Sequence, residues 1–222
     1  MRRSGLHLGA LIAALFASIS IGGGAGAQTR VLEYRIRHPL FGDVGTYANR
    51  IEKHGEATTV ISTLHGLVDL VGIPLRREEA ERTEQWQGGR IVRFDGITVS
   101  SDKRWAVHGE ARGNEFVITS PSGTATAPAD VVPGNPWSCA FLNAKTIFAV
   151  DTGRIEPSHT SGGEPVVLNL GGRSVTTRHY RVDGGDQRGE FWFDERCVPV
   201  VMTTVKEGAE ITLTLAGESG RP

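Results

Sequence analysis

The chain has 222 residues, 24 basic and 25 acidic, with 39% hydrophobic side chains and a formal net charge of −1. Nucleic-acid binders carry a basic excess, so a polyanion-binding surface is excluded and nucleic acid is not an expected partner. The only two cysteines lack C-x-x-C spacing, which excludes a cysteine zinc cluster and a thioredoxin-type pair.

Residues 1–27 read as a signal peptide. Arg2 and Arg3 form a basic start, "LHLGALIAALFASISIGGG" an apolar stretch, and Ala25-Gly26-Ala27 a small-x-small cleavage site before Gln28. The apolar core falls short of the ~20 residues a spanning helix needs. No cysteine lies just after the cleavage site to carry a lipid. The expectation is an exported protein, periplasmic or secreted, with no transmembrane anchor after signal cleavage. Removing Arg2 and Arg3 leaves 22 basic residues against 25 acidic ones, a net charge of −3 over about 195 residues. That length suits one domain, set here at 28–218.

From Leu32 onward the period is two, the mark of half-buried strands. Leu32, Tyr34 and Ile36 share a face, and Pro39 to Asp43 reads as a turn. The stretch 57–73, "ATTVISTLHGLVDLVGI", is apolar on both faces: Val60, Leu64, Val68 and Leu70 on one, Ile61, Leu67 and Val71 on the other. A strand of this kind is covered on both sides or lines a cavity. Residues 75–86, "LRREEAERTEQW", are ambiguous. Glu78 to Arg82 and Arg77 to Glu81 have helical i,i+4 spacing, yet the neighbours on both sides are strand-like. Turn signals recur at 54, 88, 101, 112 and 121. The proline-rich crossover 128–136 then excludes a central strand. Beyond it, 135–150 is the expected helix, opened by Pro136 and carrying Trp137 and Cys139 near its start. The strand pattern resumes at 174–182. In "GEFWFDE" Phe191 and Phe193 share one face and Trp192 the other, and in "AEITLTLAG" Ile211, Leu213 and Leu215 alternate with threonines. Together these segments describe an all-β, antiparallel meander of roughly ten strands joined mainly by hairpins.

Chemistry-bearing motifs are missing. There is no G-x-S-x-G and no H-E-x-x-H, and His38, His54, His65, His108, His159 and His179 fall in different segments. "HGE" occurs at 54 and 108, both times where a turn or bulge is expected, and Asp183 with Asp186 lacks calcium-loop spacing. No catalytic residue, metal ligand or cofactor is therefore assigned, and an enzyme is not expected. For Cys139 and Cys197, an even count in an oxidising compartment favours a disulfide, with free thiols as the alternative. The candidate apolar groove comprises Val60, Leu64, Val68, Leu70 and Trp137. Trp86, Trp105 and Trp192 belong either to its rim or to the core.

The succession "EQWQGGRIVRFDGITVSSDK", "ITSPSGTATAPADVVPGNPW", "FAVDTGRIEP" and "GEFWFDERCVPVVM" resembles a family of exported bacterial proteins known only as a domain of unknown function. The resemblance spans 30–216. It implies a curved antiparallel sheet forming an incomplete barrel with one helix packed in its concave side, similar to the lipoprotein-localisation factors. It also implies a strand over 75–86. The family has a small turn residue where this chain has Cys197 and lacks the cysteine at 139, and two departures appearing together imply a disulfide between them. The expected function is a non-catalytic binding module for a lipid or other apolar ligand. The alternative is an envelope protein whose surplus apolar face docks on a protein partner.

Overall fold

The structure, a computed structural model, describes residues 28–70, 73–101, 103–184, 188–206 and 208–220. The expected signal peptide, Val71 and Asp186 lie outside the described residues, as does the side chain of Leu70.

Strands dominate: β1 (Gln28–His38), β2 (Gly42–His54), β3 (Ala57–Leu70), β4 (Ile73–Gln87), β5 (Arg90–Ser100), β6 (Lys103–Arg112), β7 (Glu115–Ser120) and β8 (Gly123–Pro128) run as a meander. The short β9 (Val132–Pro133), β10 (Thr146–Phe148) and β11 (Ile155–Pro157) follow. The chain then returns to β12 (His159–Leu170), β13 (Arg173–Asp183), β14 (Gly189–Phe193), β15 (Pro199–Lys206) and β16 (Ala209–Gly220). Thirteen of them form one antiparallel sheet in the order β12-β13-β14-β15-β16-β1-β2-β3-β4-β5-β6-β7-β8. The sheet does not close, because β12 and β8 are its two edges. Between those edges the segment 129–158 crosses the sheet's inner side, with β9, β10 and β11 as a separate small sheet.

Period-two alternation sets the inward face. Leu32, Tyr34 and Ile36 of β1 are buried, as are Phe191 and Phe193 of β14, while Trp192 stacks outside on His179 at 4.4 Å. Such alternation pins register, since a slip of one residue would put every apolar side chain in water. The crossing segment supplies Val131, Phe141, Ile147 and Phe148 to the same core. The Phe148 ring meets Phe94 edge-on at 5.0 Å and stacks near Phe116 at 5.8 Å.

The helix expected over 135–150 does not form. In its place is a five-residue 3₁₀ turn, Cys139–Asn143, bounded by extended Ser138 and Ala144. The cause lies in the side chains. Thr146, Ile147 and Phe148 are β-formers with two adjacent positions buried, and β10 pairs with β9 and β11, so the backbone after Asn143 hydrogen-bonds laterally. The sheet therefore packs around a strap of loop and short strands rather than around a helix.

Over 75–86 the chain is strand, in β4. Its charges pair at i,i+2 on each face, Arg77 with Glu79 at 2.6 Å on the outer one and Arg76 with Glu78 at 3.2 Å on the inner one. "HGE" at 54 enters a turn as expected, but His108 sits inside β6, its Nδ1 2.7 Å from Asp95 Oδ1.

Gly109 lets Phe116 lie flat across β6: a Cβ there would stand 2.4 Å from the Phe116 ring. Phe116 is fully buried against Phe148 and cannot retreat. Gly109→Ala is therefore expected to destabilise the fold by about 1–3 kcal/mol through overpacking, read as a lower urea midpoint at unchanged m-value.

Candidate functional site

A cavity of about 510 Å³ opens at the end of the sheet where the β1–β2 turn, the last residues of β3 and β15 and the first residues of β4 and β16 gather. Its walls come from the central strands and from the strap: Ile36, Val44, Leu64, Val68, Met202, Ile211 and Leu213 on the sheet, with Pro136, Phe141 and Val150 opposite. These side chains face inward by the same alternation that builds the core, and a space remains between the sheet and the strap at this end. Leu67 and Phe41 line the opening and are partly exposed, and Leu40 beside them is 83% exposed. Across the opening Lys206 Nζ meets Glu78 Oε1 at 2.5 Å. Their strands, β15 and β4, are separated by four others in the sheet, so this ion pair bridges the curl of the barrel.

Deeper lies a polar layer. Glu84 is fully buried on β4 and accepts three hydrogen bonds: from Asn135 Nδ2 at 2.6 Å to Oε1, and from the indole nitrogens of Trp86 and Trp137, each 2.9 Å from Oε2. Asn135 accepts from Tyr47 Oη at 2.7 Å, and its amide also lies 3.0 Å from Ser62 Oγ. Ser62 Oγ in turn donates to Asn49 Oδ1 at 2.7 Å. Burial pushes the Glu84 carboxyl up to about 7, against the three hydrogen bonds and the Arg82 charge that pull it down. Burial likewise raises the Tyr47 phenol to about 12. Arg82, two residues before Glu84 on the same inward face, is 7% exposed and lines the cavity.

Of the expected groove residues, Leu64 and Val68 line the cavity. Val60 does not. It is fully buried in the main core, four residues further back along β3 where the strap covers the sheet. Trp137 does not either: its indole N–H is committed to Glu84 and its ring packs edge-on against Trp86 at 5.8 Å. None of the four tryptophans lines the opening. Tyr47, Arg82 and Asn135, which do reach the cavity, carried no apolar signal and were not foreseen. Cys139 and Cys197 form a disulfide with Cα atoms 5.1 Å apart, tying the strap to the β14–β15 turn.

No helix among the described residues is long and apolar enough to cross a membrane. No curated protein matches the chain. Among solved structures, a beta-barrel-like protein of domain of unknown function DUF1849 from Brucella abortus superposes with a TM-score of 0.66 at 13% identity, covering 87% of this chain and 98% of that one. At that identity the likeness is one of fold. The sequence motifs that meet in the polar layer, Glu84-Gln85-Trp86 and Asn135-Pro136-Trp137, both fall within residues 42–216, over which the chain matches the family described as Domain of unknown function (DUF6134), and it belongs to that family.

Proposed function

We propose that the protein is a non-catalytic binding module that works outside the cytoplasm and holds a lipid or other apolar molecule in the barrel's open end. The observation that carries this reading is the cavity itself. Its volume of about 510 Å³ falls in the range of small-molecule sites, and its walls are aliphatic and aromatic where a stable core would have filled them. The exposed apolar rim of Leu40, Phe41 and Leu67 suits transfer of such a ligand from a lipid surface or a carrier. The disulfide fits an oxidising compartment.

Protein purified without detergent is expected to carry a bound apolar molecule in native mass spectrometry. Ile211→Trp, which fills the cavity from β16, is expected to reduce binding of a fluorescent apolar probe at least about tenfold while the melting temperature holds or rises, as cavity-filling changes commonly do. Probe binding unaffected by that change, with no retained ligand, would sink the reading. The same rim supports a second reading, a protein-interaction role without a small ligand. It gains support if in-cell crosslinking through Leu40→Cys traps a stoichiometric protein while the cavity is found empty.

A further inference from the structure

The cavity's most costly feature is Arg82. A guanidinium is always charged, and burying it is expensive unless it is paired and hydrogen-bonded. Arg82 is 7% exposed, and among the described residues its Nε has no partner and its one hydrogen bond is a long contact of 3.5 Å from Nη2 to Thr98 Oγ1. No carboxylate among the described residues forms an ion pair with it. Glu84, the nearest candidate along the strand, spends its oxygens on Asn135, Trp86 and Trp137. The charge thus sits at the inner wall of an apolar cavity, with donors unspent.

Resting on the reading of the cavity as an apolar-ligand site, we propose that its ligand is a single-chain carboxylate, bound with the carboxylate on Arg82 and the chain running out along Leu64, Val68, Ile211 and Leu213 toward the opening. A carboxylate matches the planar fork of the guanidinium with two parallel hydrogen bonds. It is also the smallest anionic head that could be carried head-first to a buried site, and the depth of Arg82 below the charged residues at the opening, Lys206, Arg76 and Glu78, requires that direction of entry. At the opening Glu78 pairs with both Lys206 and Arg76, so the outer charged groups are engaged with one another. Selection of the head therefore falls to the inner arginine.

The test is a titration of the delipidated protein with dodecanoate and, in parallel, with dodecan-1-ol, which has the same chain and no charge. The carboxylate is expected to bind on the order of tenfold or more tighter, the worth of a charge-assisted hydrogen bond. Arg82→Gln is expected to bring the two affinities together, and Arg82→Lys, which keeps the charge without the fork, to fall between. Should the arginine variants fail to fold, the comparison on the unmodified protein decides alone. Equal affinity for acid and alcohol in that protein overturns the role of Arg82 while leaving the apolar site standing. Binding of neither overturns both.

Discussion

Replacing Cys139 and Cys197 together by serine is expected to lower the free energy of unfolding by about 4 kcal/mol. The bond closes a loop of 58 residues, and in the chain-entropy model a loop of that size removes roughly this much disorder from the unfolded state. The geometry of the native turn supports the full value. Cys197 has a φ of +60°, a conformation that a residue with a Cβ adopts only at some cost. Asp194 holds it there by accepting from the backbone N–H groups of Arg196 and Val198 at 2.9 and 2.8 Å. Arg196 adds a second tie, to Glu218 at 2.9 Å. The turn is thus built without the sulfur, and serine at 197 finds it preformed. What the double serine variant loses is the link to the strap, whose Phe141 then depends on its edge-on contact with Phe191 at 5.4 Å. For a chain of this size, a loss of 4 kcal/mol corresponds to a drop in melting temperature on the order of 10 °C. The unmodified protein under reducing conditions should melt with the variant. A shift of less than about 2 °C in both would mean that the strap is docked by its own contacts and that the bond constrains little.

The strands were legible wherever one face is apolar. Leu32, Tyr34 and Ile36, the Phe191–Phe193 pair, and Ile211 with Leu213 announce both strand and inward side, because alternation is a local signal. β4 was not legible from its residues alone. Its inward positions are Arg76, Glu78, Ala80, Arg82, Glu84 and Trp86, and charges at every second position are also charges at every fourth, so helical pairing and strand alternation make the same pattern. The strap was misread for a related reason. Pro136 and the alanines satisfy helix-start rules, but the disulfide and the lateral pairing of β10, both set by residues far away in sequence, decide the outcome. The cavity was half legible: two-faced apolarity pointed to Leu64 and Val68, while the place along β3 where a space remains depends on tertiary packing. Its polar floor gave no sign, since a buried Arg82 or Glu84 reads as a surface charge until Asn135 and Trp137, some fifty residues on, are brought against it.

Glu84→Ala is expected to cost about 3–5 kcal/mol at pH 5, because it strips the acceptor from three donors in a fully buried layer. The same substitution should cost far less at pH 8. Burial raises the carboxyl from its ordinary 4.5 to about 7, so between those values the unfolded chain has released a proton that the folded chain retains. Where the folded state binds more protons, stability falls as pH rises. A raised acid therefore contributes nothing unfavourable below about pH 4.5 and withdraws its full amount by about pH 7. At about 1.4 kcal/mol per pH unit, a displacement from 4.5 to about 7 amounts to roughly 3 kcal/mol. Glu79, Asp95, Glu190 and Glu218, whose carboxyls are lowered by arginine or histidine partners, act in the opposite sense and at lower pH. The contribution of Glu84 is isolated by subtracting the urea-unfolding free energies of Glu84→Gln from those of the unmodified protein across the range. That difference should fall by about 3 kcal/mol between pH 4.5 and pH 7.5 and then level. A difference that stays flat would mean that the two indoles and the Asn135 amide hold Glu84 as an anion throughout. The inner wall of the cavity would then present a compensated charge to any ligand, and Arg82 would no longer stand alone there.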